Sequence, residues 1–345
     1  MTVIADPGAD PTAPDVKARG RVLASPVTGQ ELVLLGVIAV LWVLLGFFTP
    51  AFLTAGSLQP LLVEVAPVAL IGIGMTMVII TGGIDISVGG AIMVCAVTVA
   101  QTLVTYEMSI WVALLISVAI GAGLGLVNGF LIAYGRVPAI IITFGTANLF
   151  QWLGLQIFGS NTVNGIPSTL DVVGRGVNGR TLGIPHSFFI TVVLVAIAWW
   201  YLRHTVGGRH LYAIGGDPVA ARLAGVRVRR RTLLVYLVTG ALVGIGALFY
   251  LAKGTSTLDQ SIGSGRELAV IAAVVIGGTS IMGGRGSVLG TLLGALLVQT
   301  VTSGVTQLGW PSQLSDLFVG LAIIVAVGTD LLRQRARTSA TRSQR

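Results

Sequence analysis

The sequence predicts an all-α, polytopic integral membrane protein with about ten transmembrane helices and with both termini in the cytoplasm. Of its 345 residues, 54% are hydrophobic and only 10% are charged, whereas a soluble domain carries about 25% charged residues. The apolar residues form unbroken runs of about twenty, the length at which a helix crosses a bilayer. Positive charge falls in every second gap between these runs, which is the orientation signal of a helical membrane protein.

Helices are favoured over a β-barrel because barrel strands alternate apolar and polar residues, and these runs do not. A closed helix also satisfies its own backbone hydrogen bonds in lipid. We predict transmembrane helices near residues 31–48, 60–81, 88–105, 110–134, 138–158, 187–204, 232–252, 267–283, 288–306 and 313–332.

Lysine and arginine set the orientation of these helices. With ten spans, one side of the membrane carries Lys17, Arg19, Arg21, Arg136, Arg203, Arg209, Arg222, Arg227, Arg229, Arg230, Arg231, Arg285, Arg333, Arg335, Arg337, Arg342 and Arg345. We assign this side to the cytoplasm. The opposing gaps carry the exceptions Arg175, Arg180, Lys253 and Arg266.

Three regions are predicted along the chain. Residues 1–30 are rich in Pro, Asp, Ala and Gly and form a disordered cytoplasmic tail, without the order of regions that marks a cleaved signal peptide. Residues 31–332 form the transmembrane domain, with a cytoplasmic loop at 205–231, and residues 333–345 form a basic cytoplasmic tail. The net charge is +8, but the basic residues lie at helix ends and in loops, which is the orientation signal of a protein surrounded by membrane lipid. No nucleic-acid partner is therefore expected.

Glycines recur four residues apart in the fourth predicted helix and at the entry to the ninth. The two series are Gly121, Gly125 and Gly129, and Gly286, Gly290 and Gly294. This small-xxx-small spacing lets helix backbones approach closely in lipid, so a packing role is favoured over a functional one.

The loop at 205–231 contains a short capped helix. Asp217 suits the N-cap, Pro218 the first helical position and Gly225 the left-handed C-terminal cap. Fewer than two turns of helix are not stable alone in water, so this segment needs a partner surface. Its apolar face of Val219, Ala220 and Leu223 fits a groove. The alternative is an amphipathic turn that rests on lipid headgroups.

Polar residues near the spans are candidates for a translocation path. The turn at 81–90 holds Asp85 and Ser87, which could cap the third helix or contact solute. Polar residues within the spans are Glu64, Asn128, Asn148, Gln151, Gln156, Gln299 and Asp316. Such groups suit a neutral, hydroxylated solute better than a proton relay, and hydrogen bonding between helices is the alternative. The set assigned to the path or to a structural turn is Asp85, Ser87, Asn128, Asn148 and Gln151.

Several kinds of enzyme site are missing from the sequence. It has no G-x-x-x-x-G-K-[ST] phosphate loop, no His/Cys/carboxylate pattern with metal-ligand spacing and no G-x-S-x-G elbow. We therefore expect a protein that is not an enzyme, with no catalytic residue, no bound metal and no cofactor of its own.

Four segments resemble the ribose/xylose/galactose-type permease family of bacterial ABC importers. They are residues 74–90, 128–146, 208–226 and 265–296, and they occur in family order. The resemblance covers residues 31–332. It implies a ten-helix permease subunit of the bacterial cytoplasmic (inner) membrane, paired with an identical or paralogous permease. Its partners would be an ABC ATPase, which binds the ATP, and an extracytoplasmic solute-binding protein.

The resemblance also implies roles for residues in the loop at 205–231, which matches the coupling helix that docks on the ATPase. The residues assigned to this role are Gly216, Asp217, Pro218, Ala221, Arg222, Leu223 and Gly225. The chain departs from the family at 137–140, where Val-Pro-Ala-Ile replaces the frequent Val-Pro-Pro-Phe, and at 267–269, where Glu-Leu-Ala replaces Glu-Leu-Asp. These departures leave the identity of the small neutral solute open. A monosaccharide, either a pentose or a hexose, is favoured, and the alternatives are a furanose signalling molecule, a polyol and a nucleoside.

Two other functions fit a chain of this composition. An ion- or proton-coupled secondary transporter would act without an ATPase, but it needs titratable residues in mid-span, and this chain has few. A structural membrane scaffold would not need the capped cytoplasmic helix.

Overall fold

A computed structural model describes residues 29–159, 161–174, 177–253 and 256–342, with side chains up to residue 328 except that of Val177. Almost all regular structure in these ranges is helical. The helices are α1 (Gly29–Phe48), α2 (Ala55–Ile80), α3 (Val88–Val104), α4 (Ile110–Gly135), α5 (Ala139–Phe158), α6 (His186–His204), α7 (Val206–Gly216), α8 (Pro218–Leu223), α9 (Val228–Leu251), α10 (Arg266–Ile276), α11 (Val288–Gln307) and α12 (Gln313–Arg342). The strands are β1 (Val163–Asn164), β2 (Arg180–Thr181), β3 (Ile184–Pro185) and β4 (Thr257–Leu258).

Each predicted transmembrane segment overlaps one of these helices. Within the described residues, seven helices are long and apolar enough to cross a membrane, namely α1, α2, α4, α5, α6, α9 and α11. The predicted helix at 267–283 is wrong in its length. Helix α10 stops at Ile276, because Gly278 takes φ +94°, a conformation that ends a helix, and residues 277–287 form glycine-rich turns.

The helix ends gather at two opposite ends of the molecule. At one end, the backbone N–H of Gly284 donates to the carbonyl oxygen of Ile80 at 2.9 Å, and the Tyr212 hydroxyl donates to the carbonyl oxygen of Gly286 at 2.9 Å. The turn after α2, helix α7 and the 277–287 turn therefore meet, and we call this the α8 end. At the other, the β end, β1 pairs antiparallel with β4, with Val163 opposite Leu258.

Helix α2 lies at the centre of the bundle. Of its most apolar 18-residue window, 94% is buried, against 17% for α1 and 22% for both α4 and α5. Large apolar side chains cover the exposed faces of the outer helices, such as Phe47 on α1 and Phe144 on α5. Lipid is the solvent that suits such faces, so the exposure pattern fits a protein embedded in a bilayer.

The predicted packing role of the glycine series is confirmed. Helices α4 and α9 approach so closely that a Cβ atom on Gly121 would overlap the carbonyl oxygen of Gly240, and one on Gly125 would overlap that of Tyr236. In the second series, a Cβ atom on Gly290 would also overlap backbone. Only glycine, which has no Cβ atom, lets the backbones come this close at these positions.

Two basic residues that break the orientation rule are held by protein groups at the β end. Lys253 forms an ion pair with Glu64, and its Nζ lies 4.4 Å from the ring centre of Tyr250. The guanidinium of Arg266 lies 5.1 Å from the centre of the same ring. Pairing and cation–π contact lower the cost of placing these charges on this side. Arg175 lies outside the described residues.

The predicted tails are covered only in part. Residues 1–28 lie outside the described residues, and α1 begins at Gly29, two residues before the predicted start. Glu31, near the start of α1, is buried and accepts a hydrogen bond from the Ser287 hydroxyl, which ties α1 to the α8 end. At the other terminus, α12 continues to Arg342, past the predicted end at residue 332.

Candidate functional site

Helix α8 has the capped structure that the sequence predicts. Oδ1 of Asp217 accepts hydrogen bonds from the backbone N–H groups of Val219 at 2.8 Å and of Ala220 at 3.0 Å. Pro218 occupies the first helical position, and Gly225 takes φ +84° just past the end of the helix. These are the usual solutions for the unpaired backbone groups at the two ends of a helix.

The two faces of α8 differ sharply in exposure. Ala221 is 5% exposed and packs against Ile214 and Val226, which anchors the helix to the protein. On the other face, Leu223 is 86% exposed and Val219 is 63% exposed. An apolar face that projects from a stably anchored helix is available to a groove on a partner protein or to lipid headgroups, so its docking role stays a prediction.

Helix α7, which the sequence analysis did not predict, carries α8. The Thr205 hydroxyl caps its start by accepting a hydrogen bond from the Gly208 backbone N–H at 3.0 Å. Near its end, Gly215 lies so close to α2 that a Cβ atom there would overlap the carbonyl oxygen of Ile80. Gly216, which has no neighbour within 4 Å of its Cβ position, joins α7 to the cap of α8. Helix α8 is thus joined through α7 to the end of α2.

The turn between α2 and α3 holds a buried polar network. The carboxylate of Asp85 accepts hydrogen bonds from the Ser87 backbone N–H at 3.0 Å and from the Ser87 hydroxyl at 2.6 Å. The Asn128 amide of α4 donates to the same hydroxyl at 2.7 Å. Burial raises the pKa of Asp85 to about 6, although the bonds from Ser87 act in the opposite direction.

The alternative in which Asp85 and Ser87 cap the start of the third helix is wrong. Ser87 occupies the N-cap position of α3, but its side chain makes no capping bond, because its hydroxyl is already engaged with Asp85 and Asn128. Asp85 closes a local turn onto the Ser87 backbone, a common role for aspartate. The three residues thus join α2, α3 and α4.

A separate polar cavity of about 180 Å³ lies between α3, α5 and the start of α10. Asn148 and Gln151, both on α5, line it. Asp85, Ser87 and Asn128 are not among its lining residues. The structure therefore divides the predicted set into a buried network and a cavity wall, and the part that each plays in transport stays a prediction.

Three further polar residues, which the sequence analysis did not assign to a site, complete the cavity. They are Gln260, Ser264 and Glu267. A Cβ atom on Gly89 of α3 would overlap the Glu267 carboxylate, so the glycine leaves room for it. Glu267 lies in the first turn of α10, where the helix dipole favours negative charge. The signal in the sequence was an acidic residue two positions after Gly265, at the start of an apolar segment.

The chemistry of the cavity suits a neutral, hydroxylated solute. Amide groups both donate and accept hydrogen bonds, and a carboxylate accepts them, which together match the hydroxyl groups of a polyol or a sugar. Met93, Phe144 and Ile262 supply apolar walls, as is usual in small-molecule sites. The described residues contain no group of His, Cys, Asp and Glu able to hold a metal ion.

Residues 57–327 match the family described as branched-chain amino acid transport system / permease component. The chain belongs to this family. This permease is also 35% identical over 296 residues to the ribose import permease protein RbsC of Escherichia coli (strain K12). The aligned residues cover 86% of this chain and 92% of the relative. No solved structure matches the chain.

Two further relatives carry other names. The fructose import permease protein FrcC of Rhizobium meliloti is 32% identical, over 81% of this chain and 79% of the relative. The autoinducer 2 import system permease protein LsrC of Enterobacter sp. (strain 638) is 33% identical, over 90% of this chain and 88% of the relative. The resemblance stated from the sequence is confirmed, and the chain is a transport subunit that crosses the inner membrane several times.

Proposed function

We propose that this permease forms the translocation path for a monosaccharide in an ATP-binding-cassette importer. The observation that carries the proposal is the cavity lined by Asn148, Gln151 and Glu267, whose hydrogen-bonding groups match sugar hydroxyls. The relatives support it, since they are import permeases named for ribose, fructose and autoinducer 2. They favour this function over that of an ion- or proton-coupled carrier acting alone.

The α8 end faces the cytoplasm in this proposal, and the chain crosses the membrane ten times. The gaps that hold Arg136, Arg222 and Arg285 all lie at this end, as the positive-inside rule requires of cytoplasmic loops. An ABC ATPase docks there on the exposed face of α8 and binds the ATP. The solute-binding protein delivers its cargo at the β end.

A second permease, identical or paralogous, closes the path. Asn148 and Gln151 are exposed on α5, beside Phe144, which is 61% exposed. A polar cavity that opens on a lipid-facing surface would be costly, so a further protein subunit has to cover it. We propose that α5 faces this partner across the translocation path.

Helices α8, α7 and α2 link the ATPase to the path. ATP binding would draw together the two ATPase subunits and, with them, the two copies of α8. Gly215 of α7 lies against the last residue of α2, Ile80, and α2 forms the centre of the bundle. The movement would therefore rock the bundle between inward-facing and outward-facing states, and ATP hydrolysis would reset it.

Reconstitution tests this function. Proteoliposomes that hold the permease and its ATPase, with binding protein outside and ATP inside, are expected to accumulate radiolabelled monosaccharide from a panel that includes ribose and fructose. Omission of ATP or of the ATPase is expected to abolish uptake. Accumulation by the permease alone, without nucleotide, would contradict the proposal and would favour a secondary transporter that acts without an ATPase.

Variants of the cavity test the path itself. Glu267→Gln is expected to lower uptake by roughly ten-fold or more, because a hydrogen bond to a charged group contributes ~1.5–3 kcal/mol and 1.4 kcal/mol is about ten-fold. Gln151→Ala is expected to lower uptake by roughly two- to ten-fold, because a hydrogen bond between neutral groups contributes ~0.5–1.5 kcal/mol. Gln156→Ala is the matched control, since Gln156 is exposed on the same helix and does not line the cavity. Uptake kinetics at several solute concentrations measure the effect. Equal uptake by all three variants would show that the cavity is not part of the translocation path.

A further inference from the structure

A second, larger cleft opens at the α8 end and is rich in positive charge. Its volume is about 640 Å³, and it lies between the α2–α3 turn, the end of α4, helix α8 and the start of α9. Its lining includes Arg136, Arg222 and Arg229, and no acidic residue. We call it the arginine cleft. Within the described residues, none of the three guanidinium groups has an ion pair or a hydrogen bond, although Arg229 lies 6.0 Å from the ring centre of Tyr134.

The start of helix α9 adds to the positive potential of the arginine cleft, whereas the buried carboxylate of Asp85, near the Tyr236 hydroxyl, opposes it at the inner end. Helix α9 begins at its edge with Arg229, Arg230 and Arg231, and its first turn contains no acidic residue. The N-terminus of a helix is itself the positive end of the helix dipole. Three cations brought to one cleft beside such a terminus repel one another, and an anion between them would remove this repulsion.

A buried hydroxyl also lines the arginine cleft without a partner. Tyr236 is 1% exposed, and within the described residues its hydroxyl makes no hydrogen bond. The hydroxyl oxygen lies 2.6 Å from the position that a Cβ atom on Gly83 would occupy, so a glycine gives it room. A buried polar group left unpaired is unfavourable, and an acceptor atom in the cleft would satisfy it.

We propose that the arginine cleft binds a phosphate ester. Guanidinium groups match phosphate oxygens with two parallel hydrogen bonds each, and the Tyr236 hydroxyl is a further donor. The apolar part of the lining, which includes Ile132 and Val228, suits the organic group of an ester rather than inorganic phosphate alone. The ester is either a small metabolite of the cytoplasm or a phospholipid headgroup. In either case the ligand touches Arg222 of α8 and would influence the helix assigned to coupling.

Binding to the complete transporter in lipid nanodiscs tests this site in two arms. In the first, nanodiscs of phosphatidylcholine are titrated with glycerol 3-phosphate by calorimetry. In the second, nanodiscs hold phosphatidylcholine and phosphatidylglycerol in equal parts, and native mass spectrometry counts the retained anionic lipid. Binding in the first arm identifies a soluble ester, whereas binding in the second arm alone identifies a lipid headgroup.

Three variants locate the binding site. The double variant Arg136→Gln/Arg229→Gln is expected to weaken binding roughly ten-fold or more, since charge-assisted hydrogen bonds are the strong ones. Tyr236→Phe, which removes one oxygen atom and keeps the ring, is expected to weaken it by roughly ten-fold, because the lost hydrogen bond is to a charged phosphate oxygen. Arg209→Gln is the matched control, because Arg209 is an exposed arginine of α7 that does not line the arginine cleft.

Several results would overturn the proposal. One is no binding in either arm, and another is binding that the double variant leaves intact. An equal loss in Arg209→Gln would assign the effect to general electrostatics. If neither probe binds the wild type and the double variant loses the ATPase during purification, the cleft is a surface for the ATPase and not a phosphate site. Each of these outcomes is independent of which sugar the permease carries.

Discussion

Replacing Leu223 with glutamate is expected to abolish ATP-driven uptake while the permease still folds and inserts. Leu223 is 86% exposed, so the change removes no packing within the chain. If α8 docks on the ATPase, the same side chain is buried in the complex. Burial of a leucine contributes ~1.5–3 kcal/mol, and a charge placed in an apolar groove adds a further penalty. The ATPase should therefore bind at least ~10-fold more weakly.

Co-purification of the ATPase and uptake into proteoliposomes measure the effect of Leu223→Glu. The matched control is Leu182→Glu, because Leu182 is 98% exposed and lies beside β2 at the β end. The control permease should retain its ATPase. Normal ATPase binding and normal uptake by Leu223→Glu would reject α8 as the docking helix.

Variants of Asp217 separate two roles that this residue could have. Asp217→Ala removes the cap of α8, which should destabilise the helix by ~0.5–2 kcal/mol and reduce coupling. Asp217→Asn keeps a side-chain oxygen that can cap but removes the charge. If capping is the role, Asn should restore most of the uptake that Ala loses. Equal loss in both variants would instead indicate that the charge itself meets the ATPase.

Helix α8 could be predicted because its signals are local. Asp217, Pro218 and Gly225 lie within nine positions of one another and act through backbone groups that neighbour them in the chain. Helix α7 gave no such signal, since glycines at 207, 208, 215 and 216 disfavour a helix on propensity alone. Contacts from the rest of the fold stabilise it: Leu211 is 1% exposed, and Tyr212 bonds to Gly286.

The candidate site was less predictable than the spans, because its parts come from distant positions. Hydropathy places each helix from its own residues, but it says nothing of which helices are neighbours. Ser87 meets Asn128 41 residues away, and the Glu267 carboxylate fills the space that Gly89 leaves on α3. The sequence could therefore suggest Asn148 and Gln151 as polar residues, but not the cavity that they share with Glu267.

Replacing Gly125 with leucine is expected to prevent stable folding of the bundle. A Cβ atom at this position would overlap the carbonyl oxygen of Tyr236 and lie 3.1 Å from the Cα atom of Gly240. Both contacts are backbone, which cannot rotate away as a side chain could, so α4 would have to separate from α9. Excess volume in a well-packed core costs ~1–3 kcal/mol, and a rigid neighbour places this site at or above the upper end of that range.

Gly123→Leu is the matched control, because it adds the same atoms two residues earlier on the same helix. Gly123 is exposed and has no neighbour within 4 Å of its Cβ position, so a leucine there would face lipid. Fluorescence-detected gel filtration after a temperature series should show a lower midpoint of unfolding, or no monodisperse protein, for Gly125→Leu alone. Equal stability of the two variants would contradict the close packing of α4 on α9. That packing also positions Tyr236 in the arginine cleft and Asn128 on Ser87. Loss of the packing should therefore disturb the cleft and the buried polar network together.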